Sequence, residues 1–173
     1  APYESWIGFS PEFMAKENIL SLEADTCACV RTISGTLEPQ DLPMTTPYGS
    51  FCLENSIEWI KGLSPKQAAR FRGHCITVGF ATIAIIPVRY REEPLGAIHL
   101  TDVRPGMASL QIVTFLESLA PLIGEAVHRF KVEEELRRHR EHLEELVKER
   151  TEQLAAVNEQ LEEAGKAPAK GRK

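Results

Sequence analysis

Apolar residues fall into three kinds of spacing along this chain. Short helical runs follow Ser–Pro pairs, a nearly continuous block sits in the middle, and a heptad-like seam occupies the last third. Ser10-Pro11-Glu12 predicts a helix start, with Ser10 as N-cap and Pro11 at the first helical position; the helix would run to about Leu22, with Phe13, Ile19 and Leu20 buried. Residues Thr26–Ile33 are small or β-branched and end at Ser34-Gly35, so they read as a strand. Phe51–Asn55 reads as a short strand or a turn. Ser56 then caps a short helix through Trp59 and Ile60, and Ser64-Pro65 opens another to about Arg72, ended by Gly73. The block Ala81–Tyr90 is apolar almost throughout, as in a strand buried on both faces. Arg91–Pro94 is a turn, and Leu95–Val103 returns antiparallel. Pro87 cannot donate to a ladder and marks a bulge or an edge-facing position.

From about Leu110 to Glu163 the pattern predicts one helix, with no Pro after Pro121 and no Gly after Gly124 in that span. Leu136, Leu143, Val147, Leu154, Val157 and Leu161 form a narrow apolar seam among charged residues, interrupted by Arg150. So narrow a stripe on so long a helix calls for a partner helix, most simply its own copy in a parallel homodimer. Leu119, Ile123, Ala126 and Phe130 follow another phase. Phe130 to Val147 is seventeen residues, two heptads plus three, a stammer-like discontinuity where a helix leaves a globular domain and where a rotation could be passed along it.

These elements predict an α+β fold, an antiparallel sheet with helices on one face and loops on the other, followed by a long C-terminal coiled-coil helix. The implied organisation is a lead-in over 1–9, a domain over 10–130, a coiled coil over 131–163 and a disordered basic tail over 164–173. A net charge of −5 argues against general nucleic-acid affinity, and Arg137-Arg138-His139-Arg140 is offset by neighbouring glutamates as helix surface. No apolar run approaches the roughly 20 residues that span a bilayer, and APYESWIGF is not a signal peptide, so a cytoplasmic location is expected.

Candidate chemistry centres on four cysteines. On a strand, Cys27 and Cys29 would share one face; Cys52 and Cys75 flank the central elements. Four thiolates suit zinc or an iron–sulfur cluster, with His74 beside Cys75 as a further ligand. Cys-x-Cys with scattered partners equally fits buried core thiols, the commonest case, or a redox pair. Residues 35–50 hold three prolines and two glycines and form a loop of the length that often folds over a ligand. Thr46, Tyr48, Ser50, Asn55 and Arg72 are polar candidates for such a pocket. Asp102 and Arg104 flank a Pro-Gly turn and read as turn-forming residues, and no catalytic set emerges.

Phe80–Arg89 followed by Leu95–Asp102 resembles the central hairpin of a GAF domain, and Leu110–Phe130 is similar to that family's closing helix. Cys27-Ala28-Cys29-Val30, Ser34-Gly35, Pro47–Phe51, Asn55-Ser56 and Arg72–Cys75 resemble features of GAF domains in bacterial sensor histidine kinases; Met107-Ala108 departs from that pattern. Leu143–Leu154 is similar to connectors leading to histidine-kinase dimerisation helices. The resemblance implies a sensory module binding a small ligand or a metal or redox centre, with a downstream kinase domain or response regulator as partner. No phosphoacceptor box or ATP-binding glycine motif follows, so any kinase activity would belong to another part of a parent protein or to a partner protein. The alternatives are a dimerisation scaffold with a vestigial pocket and a thiol-dependent enzyme of the methionine sulfoxide reductase type.

Overall fold

The structure is a computed structural model that describes residues 4–18, 21–22 and 25–166, with side chains through Glu162. It is α+β, with a three-stranded antiparallel sheet and a long C-terminal helix. The chain divides into two compact units, Ala1–His128 and Arg129–Lys173.

In the first unit, α1 (Pro11–Glu17) starts as its sequence predicts: Ser10 accepts from the Phe13 N–H and Pro11 occupies the first turn. The helix stops at Asn18, and Ile19 and Leu20 lie outside the described residues. Next comes α2 (Ala28–Ser34), where the sequence predicted a strand. Tertiary contacts override the β-branched composition here. Arg31 forks onto Asp41 through bonds of 2.6 and 2.8 Å, and its Nη1 donates to the carbonyls of Thr26 and Arg70. Arg89 donates to the Thr32 carbonyl, Ser34 bonds back to Val30, and Gly35 closes the helix at φ 71°.

After a 3₁₀ turn at Leu42–Met44 come β1 (Phe51–Leu53), α3 (Ser56–Lys61), α4 (Pro65–Ala68) and α5 (His74–Thr77). Asn55, not Ser56, caps α3, while Ser56 is buried and donates to the Phe80 carbonyl. Ser64 and Gln67 form a full capping box on α4. β2 (Thr82–Tyr90) and β3 (Glu93–Asp102) form the predicted hairpin, but the turn is only Arg91-Glu92, with Arg91 at φ 54°. The strand order is β1-β2-β3. The bulge falls between Val88 and Arg89, and β1 pairs with Ile83–Ile85, so among the described residues the strand has a paired neighbour at Pro87 on one side only.

Both faces of β2 are covered by helices, against the expected helices-on-one-face arrangement. Ile83 and Ile85, with Phe51 and Leu53 of β1, pack on Phe13, Met14, Ala28 and Cys75. Ala84, Ile86 and Val88 pack on Val113 and Ala120 of α6 (Leu110–Lys166). The row of α6 facing the sheet is thus Val113, Leu116 and Ala120, whereas Phe130 is exposed.

In the second unit, α6 carries i,i+3 and i,i+4 ion pairs, among them Arg137 with Glu134 and Glu141 and Arg140 with Glu144. The basic cluster is paired within its own helix. Of the tail, residues 167–173 lie outside the described residues. Between Leu110 and Glu162, α6 holds an 18-residue window apolar enough by length and composition to cross a membrane. In the first unit, however, Val113 and Ala120 of the same helix are buried on the sheet.

Candidate functional site

Three of the four cysteines converge on one side of the sheet. Cys27 is the extended N-cap of α2, Cys29 lies in its first turn, and Cys75 is buried on α5. Gly73, left-handed at φ 69°, is the N-cap of α5 and turns the chain between Arg72 and Cys75. Glu17, the last residue of α1, is buried beside them. The nearest Arg72 nitrogen stands 3.9 Å from Glu17 Oε1, and Arg72 also donates to the Lys16 carbonyl. A strand over these residues would have put Cys27 and Cys29 on one sheet face; instead Cys27 is the N-cap of α2 and Cys29 lies in its first turn.

The electrostatics separate the three. The Cys29 thiol, helped by the Arg72 and Cys29 backbone N–H groups, holds Cys27 down to about 6 against burial and the charge of Glu17. Donating to Cys27, together with burial and the charges of Cys27, Cys75 and Glu17, pushes Cys29 far up. Burial first, then the charges of Glu17 and Cys27, push Cys75 up to about 12. Around this group, Glu17 Oε1, Arg72 Nη1 and His74 Nε2 are buried without hydrogen-bond partners. His74 stacks on Phe13 at 5.5 Å. Among the described residues no group of three or more His, Cys, Asp or Glu side chains is arranged to hold a metal ion. The thiols sense one another's charge without forming a ligand set for zinc or an iron–sulfur cluster.

Cys52 lies elsewhere, on a cavity of about 540 Å³ lined by the loop Pro43–Pro47, by Cys52–Asn55 and Trp59, and by Ala108, Leu110 and Val113. Burial and the nearby Glu117 push Cys52 up to about 11. Thr46 donates to Glu117 of α6 and accepts from the Ser50 N–H, so the loop is tied to the helix that forms one wall. The predicted pocket residues are therefore divided. Thr46 and Asn55 line this cavity, Ser50 is buried behind the loop, and Arg72 and His74 belong to the cysteine group. Tyr48 packs toward the α6 face of the sheet, its hydroxyl raised chiefly by burial.

A second cavity, about 500 Å³, lies between Ser5–Phe9, Phe80 and Ala97–Thr101; His99 on its wall is lowered by burial to about 4. Asp102 and Arg104 pair in the turn after β3, as read from the sequence, and the bond from Arg104 lowers Asp102 to about 2. Glu17, Glu117 and Trp59 were missed as site residues. Glu17 and Glu117 signal themselves only by being carboxylates in otherwise apolar helical faces.

No protein-family model matches the chain, and no curated protein matches it. Among solved structures, a domain described as that of a putative two-component sensor histidine kinase from Sinorhizobium meliloti 1021 aligns with a TM-score of 0.39 at 16% identity. The alignment covers 51% of this chain and 57% of that one, little more than half of either.

Proposed function

We propose that the chain is a cytoplasmic, GAF-like sensory module of a two-component signalling protein. Its α+β unit receives a small-molecule or thiol-redox signal, and α6 passes it on as half of a parallel homodimer. The observation that carries this reading is the wall of the larger cavity. Leu110 and Val113, in the first turn of α6, line it directly, and Thr46 bonds Glu117 one turn further on. An occupant that displaces the loop acts on the helix itself, and its differential affinity for two helix positions is the free energy available for signalling.

The seam supports the dimer. Leu136, Leu143, Val147, Leu154, Val157 and Leu161 lie between 49% and 68% exposed, at the heptad-like spacing a second copy would cover. The connector phrase Leu143–Leu154 supports a downstream kinase domain, and through it a response regulator, as the output. Four free cysteines accord with a reducing compartment. Light scattering tests the dimer. The reading expects twice the chain mass at micromolar concentration, and a monomer of unchanged secondary structure for Val147→Asp combined with Leu154→Asp. A monomeric parent chain overturns it.

A further inference from the structure

In the first unit, α6 presents three faces. Val113, Leu116, Ala120 and Gly124 lie against the sheet. Roughly a third of a turn away, at 3.6 residues per turn, runs a second apolar row of Ile112, Phe115, Leu119, Leu122 and Ala126. Phe115 and Leu122 are 60% and 68% exposed, Ile112 and Ala126 are exposed too, and Leu119 is half-buried. The remaining face, with Gln111, Thr114, Ser118 and Glu125, is polar and exposed. A helix resting on a sheet needs one apolar face, so the second row is apolar for another partner. Its steps of three and four residues are those of a helix–helix seam. The polar face does not suit a bilayer, although α6 is apolar enough by length and composition to cross one.

The register identifies the partner. Leu119 to Val147 is twenty-eight residues, four whole heptads, and Leu122 to Leu136 is fourteen, two heptads. The exposed row therefore occupies the same two heptad positions as Leu136, Leu143, Val147, Leu154, Val157 and Leu161. The discontinuity expected from the sequence comes from counting through Ile123 and Phe130, which lie beside this row. What interrupts the seam is polarity, not phase. Arg129, Glu133 and Arg140 hold the intervening positions, and Arg129 pairs with Glu133 at 3.6 Å. Polar residues at such positions fix the register and lower the stability. Area points to the same partner. The row exposes a few hundred Å² of apolar surface, short of the roughly 800 Å² that a stable interface takes from each partner. Joined to the seam over 136–161, it reaches that size.

We propose that this row is a dimer surface of the first unit, covered by the same row of a second copy, parallel and in register. The dimer of the preceding reading, on which this rests, thus begins within the α+β unit rather than after it. The first turns of α6 then serve two purposes: Leu110 and Val113 line the larger cavity, while Ile112 and Phe115 meet the partner. A ligand that shifts those turns shifts the interface with no intervening element.

A photo-crosslinking benzophenone amino acid, placed in the full chain at Phe115, Leu154 or Thr114, tests the surface and the seam separately. Trypsin leaves residue 115 in peptide 92–129 and residue 154 in peptide 151–166. The expected result is a covalent dimer from position 115 that joins two copies of peptide 92–129, and none from position 114. A dimer from position 154 without one from 115 overturns this inference and leaves the seam dimer standing. No dimer from either position overturns both. As a second measurement, Phe115→Asp combined with Leu122→Asp should raise the dimer dissociation constant about tenfold or more, with unchanged circular dichroism. An unchanged constant by sedimentation equilibrium overturns the proposal. So does a chain that floats with phosphatidylcholine vesicles and gives no dimer from position 115.

Discussion

A Cβ placed on Gly124 would lie 2.1 Å from the carbonyl oxygen of Arg89. At this contact α6 crosses the end of β2 backbone to backbone, one turn beyond Ala120, which is fully buried on the same sheet face. Gly124 is the last glycine before the seam, and here helix interior is given to a poor helix former because nothing larger fits.

Gly124→Ala therefore forces helix and strand apart and should destabilise the α+β unit by about 1–3 kcal/mol, the usual cost of overpacking. Gly96→Ala is the control, since its Cβ would meet nothing within 4 Å and its φ is ordinary. Urea denaturation of the two variants should separate them, and equal midpoints would refute the crossing.

Arg31 and Asp41 are both fully covered, and each loses its charged partner if the other is changed. Arg31→Gln or Asp41→Asn alone should cost about 3–5 kcal/mol, whereas replacing both by apolar residues of similar size should cost much less. A double-mutant cycle followed by denaturation measures this. A near-zero coupling energy would show that the fork does not hold α2.

Thiol reactivity should be ordered by pH. The groups facing Cys27 are Glu17 from α1, Cys29 from α2, Cys75 from α5 and Arg72 before α5. Cys27 is lowered to about 6, so its anion persists at neutral pH and is lost as pH falls through about 6. Cys52 and Cys75 are raised to about 11 and about 12, so they become reactive only in strong alkali. Iodoacetamide labelling, read peptide by peptide from pH 5 to pH 9, should show Cys27 first with half-maximal rate near its own value. Uniform labelling rates across that range would refute this ordering.

Much of this architecture is written in local signals. The Ser10 and Ser64 caps, the β2–β3 hairpin and the length of α6 follow from capping chemistry and periodicity, which need only near neighbours. Residues 28–34 are different. Their β-branched side chains favour a strand, and the helix rests on Asp41, Arg70 and Arg89, partners that no window around Arg31 contains. The site was legible as a set of residue types and illegible as a grouping. Four cysteines and a handful of polar residues stood out, yet only the turn at Gly73 and the position of α1 decide that Arg72, His74 and Cys75 join Cys27 while Cys52 and Thr46 face a separate cavity.

Signalling through α6 stands or falls with the parallel dimer, and an inter-subunit distance on that helix decides it. A spin label carried on a genetically encoded amino acid in place of exposed Lys131 leaves every cysteine intact. Two parallel, in-register helices 8–10 Å apart would bring the labels to about 20–30 Å once their tethers are included. Antiparallel pairing over the seam would separate them by about 50 Å, at 1.5 Å of rise per residue. A single short distance by pulsed dipolar spectroscopy is the expected result. A long distance, or no dipolar signal at all, would rule the parallel dimer out.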